Sequence, residues 1–233
     1  MLFGTPRTGN TLLCSLLAST KVAGRPESYF READQGQWAT RFGVTADEHG
    51  GFQYDEFVAG AVRFGSTPNG VFAARVMWGT LPLIVAGLDP HSRERSDLDV
   101  LEGALGPLRF VHLQRRDVVS QAVSWARAEQ TSYWQPGDEV RAEPRLNLGQ
   151  VDYLVSTIGD HNAAWRAWFA AQAVQPLDVE YETLVADMGG TVSSILSWVN
   201  LRAPADWVPD SPQERHADEI NADWVRRYRE ARA

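Results

Sequence analysis

The stretch Thr5-Pro6-Arg7-Thr8-Gly9-Asn10-Thr11-Leu12-Leu13 decides the fold of this chain. It follows a short apolar run, Met1-Leu2-Phe3, and continues as Leu12-Leu13-Cys14-Ser15-Leu16-Leu17. Apolar residues give way to small polar ones and then to an apolar run of helical character, the pattern of strand, tight loop and helix. A loop at a helix N-terminus presents unsatisfied backbone N–H groups and the positive end of the helix dipole, which suits an anion. Gly9 lets the backbone approach a ligand, Thr8 and Thr11 add hydroxyl donors, and Arg7 adds a fixed cation with a fork of donors. The chemistry that fits is a phosphate or a sulfate. The plainer alternative is a strand–turn–helix junction with an N-capping Thr. An ordinary nucleotide loop needs two spaced glycines followed by Lys and Ser/Thr, and here Gly9 stands alone with no Lys.

Outward from this stretch, apolar runs alternate with helical patterns, which predicts an α/β domain with a parallel sheet. Strands are expected at Leu2–Gly4, Gly70–Met77, Leu108–Leu113 and Leu177–Glu180. Helices are expected at Thr11–Ser19, Asp55–Phe64, Gly79–Gly87, Val118–Gln130, Asp152–Ala173, Thr183–Val199 and Ala222–Arg232. Arg25–Gly51 and Gln135–Asn147 read as loops. Loops of that length in a compact domain usually carry function, so both are candidate lids or partner contacts. The 233 residues are read as one domain.

Hydrophobic content of 44% and charged content of 22% are ordinary for a globular protein. A net charge of −8 argues against a general nucleic-acid binder but leaves room for a local basic pocket. The single Cys14 forms no internal disulfide, which fits a reducing cytoplasm, and its place in the first helix makes it a buried residue rather than a nucleophile. No apolar run approaches the roughly 18 residues of a membrane span. No signal peptide is expected, since Met1 leads directly into the loop. His49, His91, His112, His161 and His216 are scattered without metal-ligand spacing, so no metal is expected. Trp38, Tyr54, Trp78 and Trp134 are either stacking walls for a sugar or core side chains.

A second stretch, Phe110-Val111-His112-Leu113-Gln114-Arg115-Arg116-Asp117-Val118-Val119-Ser120-Gln121-Ala122-Val123-Ser124, repeats the opening logic. A β-type run ends in two arginines, Asp117 is a plausible N-cap, and Ser120 and Ser124 share one helix face. Open α/β sheets bind ligands at the carboxyl ends of their strands. Arg115 and Arg116 with Ser120 and Ser124 therefore suit a second phosphate, against the alternative of a surface Arg–Asp pair. Two such sites on neighbouring strands fit a nucleotide 3′,5′-bisphosphate.

These motifs resemble those of sulfotransferases that use 3′-phosphoadenosine 5′-phosphosulfate (PAPS), and within them the bacterial trehalose 2-sulfotransferase family. The resemblance covers nearly the whole chain. Pro6–Leu13 is similar to the family's 5′-phosphosulfate loop, and Val22-Ala23-Gly24-Arg25-Pro26-Glu27-Ser28-Tyr29-Phe30 to its acceptor segment. Thr67–Phe72 followed by Arg75, Met77 and Trp78 also matches, although the family more often has Lys where Arg75 stands. Arg115–Trp134 looks like the 3′-phosphate segment. Trp165–Phe169, Val179–Leu184 and the tail with Arg215 and Trp224–Tyr228 complete the match.

The resemblance implies a P-loop-like three-layer α/β/α sulfotransferase fold with a central, mostly parallel sheet. It implies transfer of a sulfuryl group from PAPS, with no metal, to a hydroxyl of a sugar or natural product, by a homodimer. Pro6, Arg7, Thr8, Gly9, Asn10 and Thr11 would hold the 5′ end of the donor. Arg115, Arg116, Ser120, Ser124 and Arg215 would hold the rest, and Arg7 would also stabilise charge during transfer. A general base should take the acceptor's proton. Aligned on Gly24, Pro26 and Phe30, the family's catalytic Glu falls on Ser28, with Glu27 one place earlier. Glu27 is the first candidate; His49 or Glu32 could reach in instead, or transfer is altered or lost in a chain that still binds the donor. If strand alternation holds across this pair, only one of Glu27 and Ser28 faces the acceptor.

Overall fold

The computed structural model describes residues 1–45, 51–90, 94–134, 138–139, 141–209 and 219–233. In chain order the elements are β1 (Leu2–Gly4), α1 (Asn10–Ser19), α2 (Glu32–Phe42), α3 (Tyr54–Gly65), β2 (Arg75–Met77), α4 (Leu81–Leu88) and α5 (Asp97–Leu105). They continue with β3 (Val111–Gln114), α6 (Val118–Thr131), α7 (Leu148–Ala171), β4 (Leu177–Glu180), α8 (Tyr181–Ala186), α9 (Met188–Trp198) and α10 (Glu219–Arg232). The four strands form one parallel sheet in the order β2-β1-β3-β4. The expected α/β class is therefore present, and each expected strand contains the strand observed or coincides with it.

Alternation along β1 separates two layers. Leu2 packs with Val111, Leu113 and Val179 against α1, α8 and α9. Phe3 points the other way, stacked on Trp165 of α7 at 4.3 Å between ring centroids, in the layer that also takes in α2 to α5. Helices thus cover both faces, as parallel sheets require. A third apolar cluster joins α6, α7 and α10 through Val123, Ile158, Trp224 and Tyr228. The three-residue β1 is thin, but it is paired on both edges, and the Trp165 indole N–H donates to the Gly4 carbonyl at 3.1 Å.

Three expectations are corrected. The stretch Arg25–Gly51 is not loop throughout, because α2 occupies its middle. Glu32 and Asp34 favour the helix start, Gly43 closes its end with φ 73, and Trp38 stacks on Phe42 at 5.6 Å. Helix α5 is held by a capping box in which Ser96 accepts from the Asp99 N–H and Asp99 accepts from the Ser96 N–H. The expected helix Thr183–Val199 is two helices: Asp187, with φ −144, leaves helical geometry and caps α9 by accepting from the Gly190 N–H at 2.8 Å. In the second expected loop, the described residues 138–139 and 141–146 carry no regular element.

Candidate active site

The opening stretch forms a turn between β1 and α1 that uses two left-handed backbone positions, Arg7 (φ 64) and Gly9 (φ 86). Its interior is knitted by buried polar side chains. The Thr8 hydroxyl donates to the Thr5 carbonyl at 2.9 Å, and the Asn10 amide donates to the same carbonyl at 2.8 Å. From α6, the Gln121 amide donates to the Thr5 hydroxyl at 2.8 Å and the Pro6 carbonyl at 2.7 Å. The N-cap of α1 is Gly9, which offers no side-chain cap, so the capping Thr of the plainer reading does not form. The N-terminus of α1 is left with its positive end toward the cleft. Gly9 cannot carry a side chain: besides its positive φ, a Cβ there would lie 2.5 Å from the Tyr181 ring.

Arg7 reaches from this turn to α6. Its Nε donates to the Ser124 hydroxyl at 2.9 Å and its Nη1 to the Trp134 carbonyl at 2.6 Å. Arg115, at the end of β3, lies over the Tyr181 ring at 4.5 Å and donates to the Arg7 carbonyl at 3.4 Å. Burial pulls the Arg7 pKa below its ordinary value, and the positive charges of Arg115 and Arg127 add to the effect. A guanidinium stays charged even so, and an anion placed here would relieve the repulsion.

The second stretch departs from the first in one respect. Asp117 caps α6, accepting from the Ser120 N–H at 3.0 Å and the Ser120 hydroxyl at 2.6 Å, and also from Arg229 at 2.9 Å. Burial alone would raise its carboxyl pKa, but these donors overcome it and hold the group below the usual range. The α6 N-terminus is therefore closed by its own acid, and any anion there is left to side chains. Arg116 turns outward to Glu180 at 3.0 Å and Glu182 at 3.8 Å and does not line the cleft.

The acceptor segment is attached to the sheet edge. Glu27 pairs in parallel with Ala74, and the Arg75 N–H donates to the Glu27 carbonyl at 2.9 Å. Arg75 Nε donates to the Ser28 hydroxyl at 2.8 Å and Nη1 to the Thr11 hydroxyl at 3.3 Å. Glu27 and Ser28 both line the cleft, because the extended pairing covers a single residue and the chain turns at Tyr29. Glu27 is exposed, and among the described residues its carboxylate has no hydrogen-bond or ion-pair partner.

All these groups border one cleft of about 2330 Å³. Among its described lining residues are eight arginines against five carboxylates, a local excess of positive charge in a chain of net charge −8. Pro6, Arg7, Gly9, Asn10, Thr11, Arg115, Ser120 and Ser124 are brought together there, while Thr8 is buried beneath the turn. Trp38, Trp78 and Trp134 line the cleft; Tyr54 does not, packing instead on Phe57 at 5.8 Å. Glu32 lies in the exposed first turn of α2, away from the lining. His112 is buried beside Asp178, and His161 sits near Trp78 and Trp125. Arg215, His49, His91 and His216 lie outside the described residues. The sequence reading assigned no role to Tyr181, Gln121 or Arg229. Gln121 was legible only as one more polar residue of α6, and Tyr181 is linked to Gly9 by tertiary packing alone.

A parallel sheet covered on both faces, with an arginine-rich cleft at the carboxyl ends of β1 and β3, defines an α/β protein built to hold an anionic ligand. The chain belongs to the Stf0 sulphotransferase family, whose profile matches residues 1–231. It is 30% identical to a trehalose 2-sulfotransferase of Mycolicibacterium smegmatis and 29% identical to one of Mycobacterium tuberculosis, in each case over 98% of this chain and 93% of the relative.

Proposed function

We propose that this protein moves a sulfuryl group from PAPS to a hydroxyl of a carbohydrate or natural product, releasing adenosine 3′,5′-bisphosphate. The observation that supports this most is the meeting, in one cleft, of the uncapped α1 turn with Arg7, the Arg115–Ser124 corner, and the unpartnered Glu27 carboxylate. The α1 turn receives the 5′-phosphosulfate, where its N–H groups and Arg7 stabilise negative charge on the departing phosphate oxygen. Arg115 and Ser124 take the 3′-phosphate. Glu27 accepts the acceptor's proton as its oxygen bonds to sulfur. Trp38 and Trp78 border the space left for a sugar. The protein works as a homodimer, the state that the family resemblance implies, and light scattering of the purified protein tests this directly.

The test is a turnover screen with PAPS, beginning with trehalose, the acceptor in the relatives' names, and extending to other sugars and hydroxylated metabolites. Glu27→Gln should lower kcat by about 10²-fold or more, the usual worth of a positioned base, while leaving adenosine 3′,5′-bisphosphate binding intact. Turnover at the parental rate in that variant would remove Glu27 from the role. The bisphosphate should raise the melting temperature, as any ligand selective for the folded state does. Binding without turnover across the panel would favour a donor-binding member that has lost transfer at Ser28.

A further inference from the structure

We propose that Arg75 is a sulfuryl-binding residue, held between the donor turn and the acceptor segment so that its free N–H groups meet the oxygens of the group in transit. The inference rests on the sulfotransferase reading above. Its ground is the position and the charge balance of one side chain.

Arg75 opens β2, the edge strand, and its register partner is Leu2 of β1. Paired residues of parallel strands point to the same face, and Leu2 packs beside Leu13 and Leu16 of α1. The Arg75 side chain therefore rises on the α1 face. It arrives between Thr11, in the first turn of α1, and Ser28, in the segment that carries Glu27. No other described side chain donates to both of these elements.

The partners matter as much as the place. Both are neutral hydroxyls, and among the described residues no carboxylate lies within 4.0 Å of the Arg75 guanidinium. Other cleft arginines are neutralised: Arg31 by Asp34, Arg229 by Asp117, and Arg226 by Asp223 and Glu230. A guanidinium carries five N–H donors. Arg75 uses one on Ser28 and one on Thr11, which leaves three and an uncompensated charge facing the cleft. A sulfuryl group in flight carries anionic oxygens in a compact cluster, which a forked cation suits better than a point charge.

The hydrogen-bond directions also divide the labour at the acceptor segment. Ser28 accepts from a cation, so its oxygen is made less basic and its hydrogen is left free to donate. Ser28 is thereby unsuited to take a proton, and that task falls to Glu27. In the transfer, the acceptor oxygen bonds to sulfur as the bond from sulfur to the 5′-phosphate oxygen breaks. The electron pair leaves with the bisphosphate, and the acceptor's proton passes to Glu27. Arg75 touches only the sulfuryl oxygens and exchanges no proton.

The experiment uses two probes that differ only by the sulfuryl group. Affinities for PAPS and for adenosine 3′,5′-bisphosphate are measured by calorimetry on the full chain and on Arg75→Gln, Arg75→Lys and Ser28→Ala, with melting temperatures taken alongside. Arg75→Gln should bind the bisphosphate within about twofold of the parent, lose about tenfold in PAPS affinity, and lose about 10²-fold in sulfuryl transfer to an acceptor or to water. Arg75→Lys should recover part of the loss, and Ser28→Ala should show a smaller loss of the same kind. Equal weakening of both probes in Arg75→Gln, or no weakening of either, overturns the assignment. If Arg75→Gln does not fold, the ratio of the two affinities in Arg75→Lys and Ser28→Ala decides by the same criterion. A parent protein that binds neither probe overturns the sulfotransferase reading itself, a result distinct from a failure at Arg75.

Discussion

Arg7 and Gly9 bend the donor turn by adopting backbone angles that most residues avoid, with φ of 64 and 86. At Gly9 the cost of any side chain is twofold: left-handed geometry disfavours it by about 1–2 kcal/mol, and the Tyr181 ring occupies the space. Gly9→Ala should therefore lower the melting temperature and weaken bisphosphate binding together, both readable by thermal scanning with and without ligand. Cys14 makes the opposite kind of statement. Burial pushes its thiol up to about 12, so it should not react with an aromatic disulfide reagent at pH 8 in the folded protein and should react fully in denaturant. The turn and Cys14 were legible in sequence because their chemistry is local. Tyr181 was not, since only tertiary packing sets its ring against Gly9 and beneath Arg115.

At the scale of elements, helix α10 closes one side of the cleft and is fastened to α7 by ionisable groups. Asp152 accepts from Tyr228 at 2.7 Å and from Arg232, and these donors hold its carboxyl near a pKa of about 2 against an ordinary 3.8. Since the folded value is the lower one, this stabilisation is present above the ordinary value and is lost as pH falls from 3.8 toward about 2. Fluorescence of the buried Trp224 followed from pH 5 to 2 should report loosening of α10, and Asp152→Asn should be loose throughout, without that acid phase. Helices α2 and α5 escaped the sequence reading for different reasons. Among the residues of α2 only Ala39 and Phe42 are fully buried and Gly36 interrupts it, so its periodicity is faint and its order comes from aromatic stacking. The capping box of α5 was written in Ser96 and Asp99. The break at Asp187 is a cap signal set inside what reads as one continuous helix.

For the whole molecule, a net charge of −8 coexists with a cleft rich in arginine. Charges at such an opening act on ligands through solvent and are screened within about 10 Å at 0.1 M salt. Raising sodium chloride from about 50 to 500 mM should weaken bisphosphate affinity roughly tenfold, while binding of a neutral sugar should change little; calorimetry at the two salt levels checks both. Sheet, strand order and layer assignment were legible because β1 and β3 each end in a recognisable ligand turn. What the sequence withheld is the difference between those turns: the first helix is open at its start, the second is sealed by Asp117. The join between Glu27 and β2 carries a further consequence. The acceptor segment hangs from the sheet edge by a main-chain bond from Arg75 to Glu27 and is seated by the buried rings of Tyr29 and Phe30. None of these anchors depends on the side chains at 27 and 28. Heritable change can therefore rewrite the chemistry at those two positions, one point substitution at a time, without unthreading the scaffold or disturbing the donor pocket, so descendants of such a chain can diverge in what they act on while keeping what they draw from.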